Sequence, residues 1–140
     1  MMRQQHHTLV VATPGPGLTD ITAEVARFVA GSTIRNGLLT LFVKHTSASL
    51  LVQENADPDV LRDLERFLRK LVPHSVGDYR HSAEGPDDMP AHIRSALTLT
   101  SLGVPFREGT LHLGMWQAVY LFEHRDSGHQ RQIALHIIGD

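Results

Sequence analysis

An apolar run over residues 38–44 constrains the fold of this chain more than any other feature. A strand with one face in water alternates apolar and polar residues, whereas this run has a single polar residue, Thr40, before it ends at Lys44. It therefore predicts a central strand that is covered on both sides. Two more β-like runs, 111–124 and 131–138, are joined by residues 125–128, which are typical of a hairpin turn.

Three helices and one further strand are predicted around these runs. A short β-branched segment over 8–13 is the first strand. Thr19 and Asp20 are candidate N-caps for a helix over 21–29, and Asp57 followed by Pro58 begins the second helix. The third helix is predicted from about 91 to 100. The residues expected to face the core are Ile21, Val25, Phe28 and Val29, then Val60, Leu64, Phe67, Leu68 and Leu71, and finally Ile93, Ala96 and Leu97.

The order of these elements indicates the fold class. Strands flank the helices rather than alternating strictly with them, which is typical of an α+β fold with a mostly antiparallel sheet. A chain of 140 residues is long enough to bury a core without disulfides or metals. We therefore expect one domain over residues 1–140.

The composition excludes several classes of protein. The chain has no cysteine, which rules out disulfides, thiolate zinc sites and cysteine nucleophiles. The net charge is −2 with both signs dispersed, so a broad basic surface for nucleic acid is not expected. No apolar run approaches the roughly 20 residues that cross a bilayer, and the first residues do not resemble a signal peptide. We expect a cytoplasmic protein without a nucleic-acid or membrane partner.

Histidine is unusually frequent, with 10 residues in the chain. His45 ends the apolar strand, His81 lies in a long loop over 74–90, and His92 falls in the first turn of the third helix. There the helix dipole disfavours imidazolium and favours the neutral ring that binds metal. Three imidazoles and a water would form an open zinc-type site. Because no pair has the spacing of a local zinc motif, the alternative is that each histidine is an ordinary surface or core residue.

An acidic segment precedes the third helix. Glu84, Asp87 and Asp88 place three carboxylates within five residues, which could hold Mg²⁺ beside a phosphate. The alternative is that Asp87 or Asp88 caps the helix and the other carboxylates are solvated.

Hydroxyls and arginines supply candidate contacts for an anionic ligand. The G-x-S-x-G turn of a serine hydrolase does not occur near His45, which favours hydroxyls that bind a phosphate over a serine nucleophile. The hydroxyls belong to Thr46, Ser47 and Ser49. The candidate arginines are Arg80, Arg107 and Arg125.

Four segments, taken in order, resemble the motifs of one protein family. They are His-Thr-Ser-Ala-Ser-Leu at 45–50, Glu-Asn-Ala-Asp-Pro-Asp-Val at 54–60 with Asp-Leu-Glu-Arg-Phe at 63–67, Tyr-Arg-His at 79–81 with Glu-Gly-Pro-Asp-Asp-Met-Pro-Ala-His-Ile at 84–93, and Gly-Thr-Leu at 109–111 with Gly-Met-Trp-Gln at 114–117 and Glu-His-Arg at 123–125. Over residues from about 8 to 140, the chain resembles the YjbQ family, the secondary thiamine-phosphate synthase group.

The resemblance implies a β-sandwich or barrel-like core assembled as a homotrimer, with a metal site formed by His45, His81 and His92. An apolar pattern at both parities over 111–121 also favours a trimer, because both faces of that strand need cover. The family's Gly-Thr-Trp-Gln has Met115 in place of threonine here, and methionine cannot donate a hydroxyl hydrogen bond. The other motif residues expected to line or shape the cleft are Asn55, Glu84, Asp88, Trp116, Gln117, His124 and Arg125.

The family's side activity implies a transferase that joins a pyrimidine diphosphate to a thiazole phosphate and releases pyrophosphate. In this hypothesis the catalytic residues are Asp88, Glu84 and His124, with Mg²⁺ bound beside the phosphate. The ligand-binding residues are Ser47, Asn55, Arg80, Trp116, Gln117 and Arg125. A three-histidine centre suits zinc better than Mg²⁺, and a zinc-bound water would suit hydrolysis instead. The remaining hypothesis is a non-catalytic homotrimer that binds a metal and a small anionic ligand.

Overall fold

The fold is described by a computed structural model over residues 1–74 and 77–140, so the predicted loop 74–90 includes two residues, 75 and 76, outside the described part. The elements of the described part are β1 (Arg3–Ala12), β2 (Gly17–Asp20), α1 (Thr22–Ala30), β3 (Gly37–Val43), β4 (Ala48–Glu54), α2 (Pro58–Leu71), α3 (Asp88–Leu97), β5 (Ser101–Arg107), β6 (Thr110–Leu111), β7 (Gln117–Glu123) and β8 (Gln130–Gly139). None of these three helices combines the length and apolar character needed to cross a membrane.

The strands pair antiparallel in two sheets. The larger sheet has the order β1-β8-β3-β5-β6 and the smaller has the order β2-β7-β4. Together they curl into a half-barrel, which confirms the predicted α+β class and barrel-like core. β3 pairs with both β8 and β5, so the apolar run does form a central strand. The predicted hairpin is wrong, because β7 and β8 follow each other in the chain but pair in different sheets.

The core lies between the two sheets and α1. On β3, Leu39 and Leu41 point inward and are fully buried, whereas Leu38 and Phe42 on the outer face are 43% and 48% exposed. The prediction that this strand is covered on both sides is therefore wrong for the single chain. The buried core residues are Ile21, Val25, Val29, Ile34, Leu39, Leu41, Val43, Ala48, Leu50, Val104, Phe106, Val119, Leu121, Ile133, Leu135 and Ile137.

β7, in contrast, is buried on both faces. Val119 and Leu121 belong to the common core, while Tyr120 and Phe122 lie on the opposite face and are also buried. Helices α2 and α3 pack on the small sheet from that side. The apolar residues at both parities of β7 are thus covered within the chain, whereas Met115 and Trp116, earlier in the predicted run, are 79% and 61% exposed. The two-sided pattern of β7 does not by itself indicate a trimer.

The second helix begins where the sequence predicts. Asp57 is the N-cap, its carboxylate accepts a hydrogen bond from the backbone N–H of Asp59 at 2.9 Å, and Pro58 is the first helical residue. The predicted apolar stripe is only partly buried, because Phe67 and Leu71 are 63% and 57% exposed.

The first and third helices begin at other residues than predicted. Thr19 and Asp20, the predicted N-caps, are the last residues of β2, and Ile21 is the N-cap residue of α1. The Asp20 carboxylate still accepts the backbone N–H of Thr22, the first residue of α1, at 2.9 Å. α3 begins at Asp88, about three residues before the predicted start, and Asp87 at its N-cap makes no side-chain capping bond. The buried residues of α3 are Asp88, Pro90, Ala91, Arg94 and Ser95, whereas the sequence predicted Ile93, Ala96 and Leu97.

A buried ion pair joins the two sheets. Glu123 at the end of β7 and Arg131 near the start of β8 are 1% and 4% exposed, and Arg131 donates to both carboxylate oxygens, from Nε to Oε1 at 2.8 Å and from Nη2 to Oε2. Thr13 Oγ1 donates to Oε1 at 2.7 Å, and the backbone N–H of Arg125 donates to Oε2 at 3.1 Å. Arg131 Nη2 also donates to the carbonyl of Ser47 at 3.2 Å. Burial alone would raise the pKa of the Glu123 carboxyl, but the hydrogen bonds from Arg131 and Thr13 outweigh burial and lower it.

His124 lies beside this pair in the interior, where it is 1% exposed. Its Nε2 is 2.8 Å from Ser49 Oγ, and its ring centroid is 4.3 Å from that of Phe122. Burial, followed by the positive charge of Arg94, lowers the pKa of His124 to about 3. The imidazole is therefore neutral at neutral pH, and it is part of the packed interior.

Replacing Glu123 with glutamine should lower the free energy of unfolding by about 3–5 kcal/mol, because Arg131 would be buried without a counter-charge. Urea denaturation of the variant and the wild type measures the difference. The matched control is Arg62→Ala, which breaks the exposed Arg62–Asp59 pair and should cost less than about 1 kcal/mol. Losses of equal size in the two variants would contradict the importance of the buried pair.

The low pKa of His124 should make the protein less stable in acid. The unfolded histidine takes up a proton near its ordinary pKa of 6.5, whereas the buried ring does so only near 3, so this contribution to stability is present above pH 6.5 and is lost as the pH falls toward 3. In His124→Gln, the slope of unfolding free energy against pH should be smaller by about 1 kcal/mol per pH unit between about pH 6 and 5. Urea denaturation at several pH values measures the slope, and an unchanged slope would contradict a buried neutral ring.

Candidate metal centre

Two ligand-type side chains share one face of α3. Asp88 and His92 are four residues apart, which places them one above the other on a helix. Asp88 Oδ2 lies 3.0 Å from His92 Nε2, and the Asp88 residue is only 2% exposed. Because α3 starts at Asp88, His92 lies in the second turn rather than in the predicted first turn.

The segment before α3 brings two more such side chains to the same place. His81 Nε2 lies 2.6 Å from Asp88 Oδ2 and 3.3 Å from Glu84 Oε2. One nitrogen or oxygen atom from each of His81, Glu84, Asp88 and His92 lies within 4.8 Å of all the others. We call these four residues the His–carboxylate cluster; two imidazoles and two carboxylates are ligands that divalent metals accept.

A hydrogen bond from His92 to the backbone determines which of its two ring nitrogens presents a lone pair to the cluster. His92 Nδ1 is 2.9 Å from the carbonyl oxygen of Thr46, so Nδ1 carries a proton and donates it. In the neutral ring, Nε2 is then unprotonated and points its lone pair at Asp88 Oδ2, 3.0 Å away. Two lone pairs at this distance repel each other unless a proton or a cation lies between them, so the arrangement favours a positively charged species at this point.

The pKa values of the cluster reflect the same requirement for positive charge. The hydrogen bond to Asp88 raises the pKa of His81. Burial alone would raise the pKa of the Asp88 carboxyl, but its hydrogen bonds with His81 and Glu84 and the nearby charge of Arg125 outweigh burial and lower it. Asp88 therefore remains a carboxylate at neutral pH and can act as a ligand.

Arg125 holds the other oxygen of Asp88. Its Nη1 is 3.0 Å from Asp88 Oδ1, and its Nε donates to Asp87 Oδ2 at 2.8 Å. The Arg125 hydrogen bond lowers the pKa of Asp87 to about 2. Asp87 thus pairs with Arg125 instead of capping α3. The sequence predicts Arg125 as a contact for an anionic ligand, but two carboxylates of the protein already share its charge.

His45 lies outside the His–carboxylate cluster. Its Nε2 accepts the backbone N–H of Gln132 at 2.8 Å, which occupies that lone pair. Burial, followed by the charge of Arg131, lowers the pKa of His45. Its role as a third histidine ligand stays a prediction, and in this arrangement only Nδ1 remains for a further contact.

The remaining predicted site residues lie elsewhere. Ser47 is 8% exposed, and its Oγ accepts from Arg131 Nη2 at 3.1 Å. His124 is buried, with its Nε2 on Ser49 Oγ, and is not one of the four cluster residues. β4 and β7 pair from Ala48↔Glu123 to Glu54↔Gln117, so their two ends are roughly 20 Å apart at about 3.4 Å per residue. The cluster is at the first end, and the predicted residues at the other end are Asn55, Trp116 and Gln117. Arg80 is exposed.

The sequence contained a signal for Asp88 as a direct partner of His92. Aspartate and histidine four residues apart face each other on a helix, but a predicted helix start near 91 hid this spacing. The carbonyl of Thr46 could not be found from a motif, because it is a backbone group on a segment 46 residues away in the chain.

Two cavities adjoin the cluster. A groove of about 480 Å³ is lined by His92 together with residues 42–46 and the outer side of α3. A second cavity, of about 230 Å³, is lined by His81 with Tyr79, Pro86 and Met89 among others. The cluster therefore has space for a small ligand on two sides.

Comparison with known proteins identifies the same family as the four sequence motifs. The family model described as UPF0047 protein YjbQ-like matches residues 7–140. A UPF0047 protein of Synechocystis is 53% identical over 138 residues, covering 99% of this chain and 94% of that protein, and the UPF0047 protein YjbQ of Escherichia coli is 42% identical over 134 residues, covering 95% and 96%. Two crystal structures have the same fold. That of a YbjQ-like protein of unknown function from Sulfolobus solfataricus superposes with a TM-score of 0.90 at 26% identity and covers 100% of both chains. That of a conserved hypothetical protein from Thermus thermophilus superposes with a TM-score of 0.82 at 39% identity and covers 92% of this chain and 97% of the other. The chain belongs to the UPF0047 YjbQ-like family.

Proposed function

We propose that this protein binds one divalent metal ion through His81, Asp88 and His92, with Glu84 as a fourth, exposed ligand. The observation that carries the proposal is the hydrogen bond from His92 Nδ1 to Thr46, which turns the unprotonated Nε2 toward Asp88. Metal-binding histidines usually donate their other ring N–H to a carbonyl or carboxylate, and ligating carboxylates are themselves held by hydrogen bonds. Thr46 and Arg125 fill these two supporting roles.

The donor set bears on which metal is bound. Two imidazoles favour zinc or a similar transition metal, whereas two carboxylates bring the set closer to Mg²⁺ or Mn²⁺ than three histidines would. Glu84 is the most exposed of the four, with a side chain 63% accessible, so it is the ligand that a water or a phosphate oxygen would replace. Zinc is the metal we propose, with Mg²⁺ as the alternative beside a phosphate ligand.

The ligand we propose is a small phosphorylated molecule, as in the transferase hypothesis. In that reaction the thiazole nitrogen forms a bond to the pyrimidine methylene carbon while the carbon–oxygen bond to the diphosphate breaks, and pyrophosphate leaves with the electron pair. A bound divalent ion would neutralise the leaving charge. Asp88 and Glu84 would hold that ion, and the cavities beside the cluster support a ligand of this size. The alternatives are a hydrolase that uses a metal-bound water and a protein that binds metal and anion without turnover.

Metal content tests the first proposal. Untagged wild-type protein should bind about one zinc per chain, and Asp88→Asn should bind it at least about 100-fold more weakly, since even partners outside the ligand set are worth 10–100-fold. Glu84→Gln, at an exposed position, should cost less. Isothermal titration with zinc measures the affinities, and elemental analysis measures the stoichiometry. His112→Gln is the matched control, because His112 is exposed and is no member of the cluster.

Further variants and substrates separate the remaining outcomes. His6 and His136 have ring centroids 4.5 Å apart, so His6→Gln excludes zinc bound at that pair. Equal zinc binding by Asp88→Asn and the wild type would contradict the proposed ligands. Release of pyrophosphate from the pyrimidine diphosphate and thiazole phosphate by the wild type, lost in Asp88→Asn, would support the transferase. Retained zinc with no release of phosphate from any diphosphate or phosphoester would favour the binding alternative.

The outer face of the large sheet supports the proposed homotrimer. Three apolar side chains on this face, outside the groove beside His92, are exposed by 39–54%, namely Val10, Leu38 and Ile138. Arg107, near the edge of the sheet, is the one formally charged residue on this face among the residues of β1, β3, β5 and β8. A nearly uncharged face that leaves several large apolar side chains exposed is typical of a surface that another subunit covers. A partner copy would also give β3 the cover on both faces that its sequence predicts.

Leu38→Glu should dissociate the trimer, because it would bury an unpaired charge in the interface. Light scattering after size exclusion should give about 46 kDa for the wild type and about 15.5 kDa for the variant. Phe67→Glu is the matched control, since Phe67 is 63% exposed on α2 and should leave the mass unchanged. A monomer mass for the wild type would contradict the proposal.

A further inference from the structure

The groove beside His92 has a chemical character of its own. It is about 480 Å³ in volume, within the range of small-molecule sites, and it lies between the end of β3 and the exposed side of α3. Its polar side chains include Lys44, His45 and Thr46, and its apolar wall includes Phe42 and Ala96. The His92 ring forms part of the same wall, and its Nε2 belongs to the His–carboxylate cluster.

The groups in this groove are suited to accept negative charge. Lys44 has an ammonium group with three donors, and the described residues that line the groove include neither aspartate nor glutamate. His45 uses Nε2 to accept the N–H of Gln132, so its neutral ring carries the proton on Nδ1 and can act only as a donor through that atom. The Thr46 hydroxyl adds another donor.

Phe42 gives the groove a second property. It is 48% exposed, lies two residues before Lys44 in the sequence and lines the same groove. An aromatic ring laid on Phe42 would gain apolar contact and offset stacking. A ligand with an aromatic ring and an anionic group would therefore use both halves of the groove.

We propose that this groove binds a small aromatic phosphate, with its phosphate at Lys44 and the His45 Nδ1–H and its ring against Phe42. A tetrahedral oxyanion offers several acceptor oxygens, which matches a cation with several neighbouring donors better than a single carboxylate does. This inference deepens the proposed function, because it gives the phosphorylated ligand its place beside the cluster, but the contacts it names do not require a metal. Lys44 and His45 are then ligand-positioning residues.

The lysine content of the chain allows a direct test. Lys44 and Lys70 are the only lysines, and Lys70 lies on α2, outside the groove. Reductive methylation with ¹³C-formaldehyde keeps both charges and gives each lysine its own dimethyl NMR signal. Titration with phenyl phosphate should move the Lys44 signal to saturation and leave the Lys70 signal in place. Inorganic phosphate should move the same signal at higher concentration, because it lacks the ring.

Unmodified variants give the affinity. By isothermal titration with phenyl phosphate, Lys44→Gln should bind about tenfold more weakly than the wild type, Lys44→Arg should bind within a few fold of it, and Lys70→Gln should equal it. Any of three results would overturn the proposal: neither lysine signal reaches saturation, both signals drift equally without saturating, or Lys44→Gln binds phenyl phosphate as tightly as the wild type.

Metal content separates this inference from the proposed function. Lys44→Gln should bind as much zinc as the wild type, because Lys44 is outside the His–carboxylate cluster. If the wild type binds no zinc but phenyl phosphate still saturates at Lys44, the metal proposal fails and the groove proposal holds. If zinc binds as expected and phenyl phosphate does not saturate at Lys44, the groove proposal fails alone.

Discussion

The buried ion pair between Glu123 and Arg131 ties the two sheets together beside the His–carboxylate cluster. It crosses from β7 in the small sheet to β8 in the large one, and it is almost without contact with water. Glu123 also accepts the backbone N–H of Arg125, and Arg131 donates to the carbonyl of Ser47. The pair therefore positions two segments at once: the one that carries Arg125 to Asp88, and the one that carries the Thr46 carbonyl to His92. A buried charge without its partner would cost several kcal/mol, so these two segments are held in a single arrangement.

The His–carboxylate cluster combines local and distant constraints. Helix geometry alone brings Asp88 and His92 together, and the preceding loop adds His81 and Glu84. The distant groups then orient the ligands, since Thr46 determines the tautomer of His92 and Arg125 occupies Oδ1 of Asp88, leaving Oδ2 toward the histidines. Asp87 balances the charge of Arg125, which would otherwise oppose a cation at the cluster.

The sequence predicted parts of this site for sound chemical reasons. His81, His92, Glu84 and Asp88 were all identified as candidates, and they are the residues that come together. The sequence divided them between a histidine site and a carboxylate site, because residue type suggests a metal but not which side chains meet. The sequence did not reveal that His124 and Ser47 are buried, because the polarity of a side chain does not show that its partners lie inside the fold. Their roles at the site stay predictions. The pairing of the strands then separates Asn55, Trp116 and Gln117 from the cluster by the length of β4.

Short sequence patterns were enough to predict the central position of β3, the start of α2 at Asp57 and Pro58, the α+β class and the family. These features depend on a few neighbouring residues, through side-chain alternation, capping and motif spacing. The same patterns did not predict three features of the folded chain: β7 and β8 enter different sheets, the outer face of β3 remains exposed in one chain, and α3 begins at Asp88. Each of these depends on pairing or ion-pair partners far away in the chain, whose gain in energy exceeds the local preference of a turn, an apolar run or a helix cap.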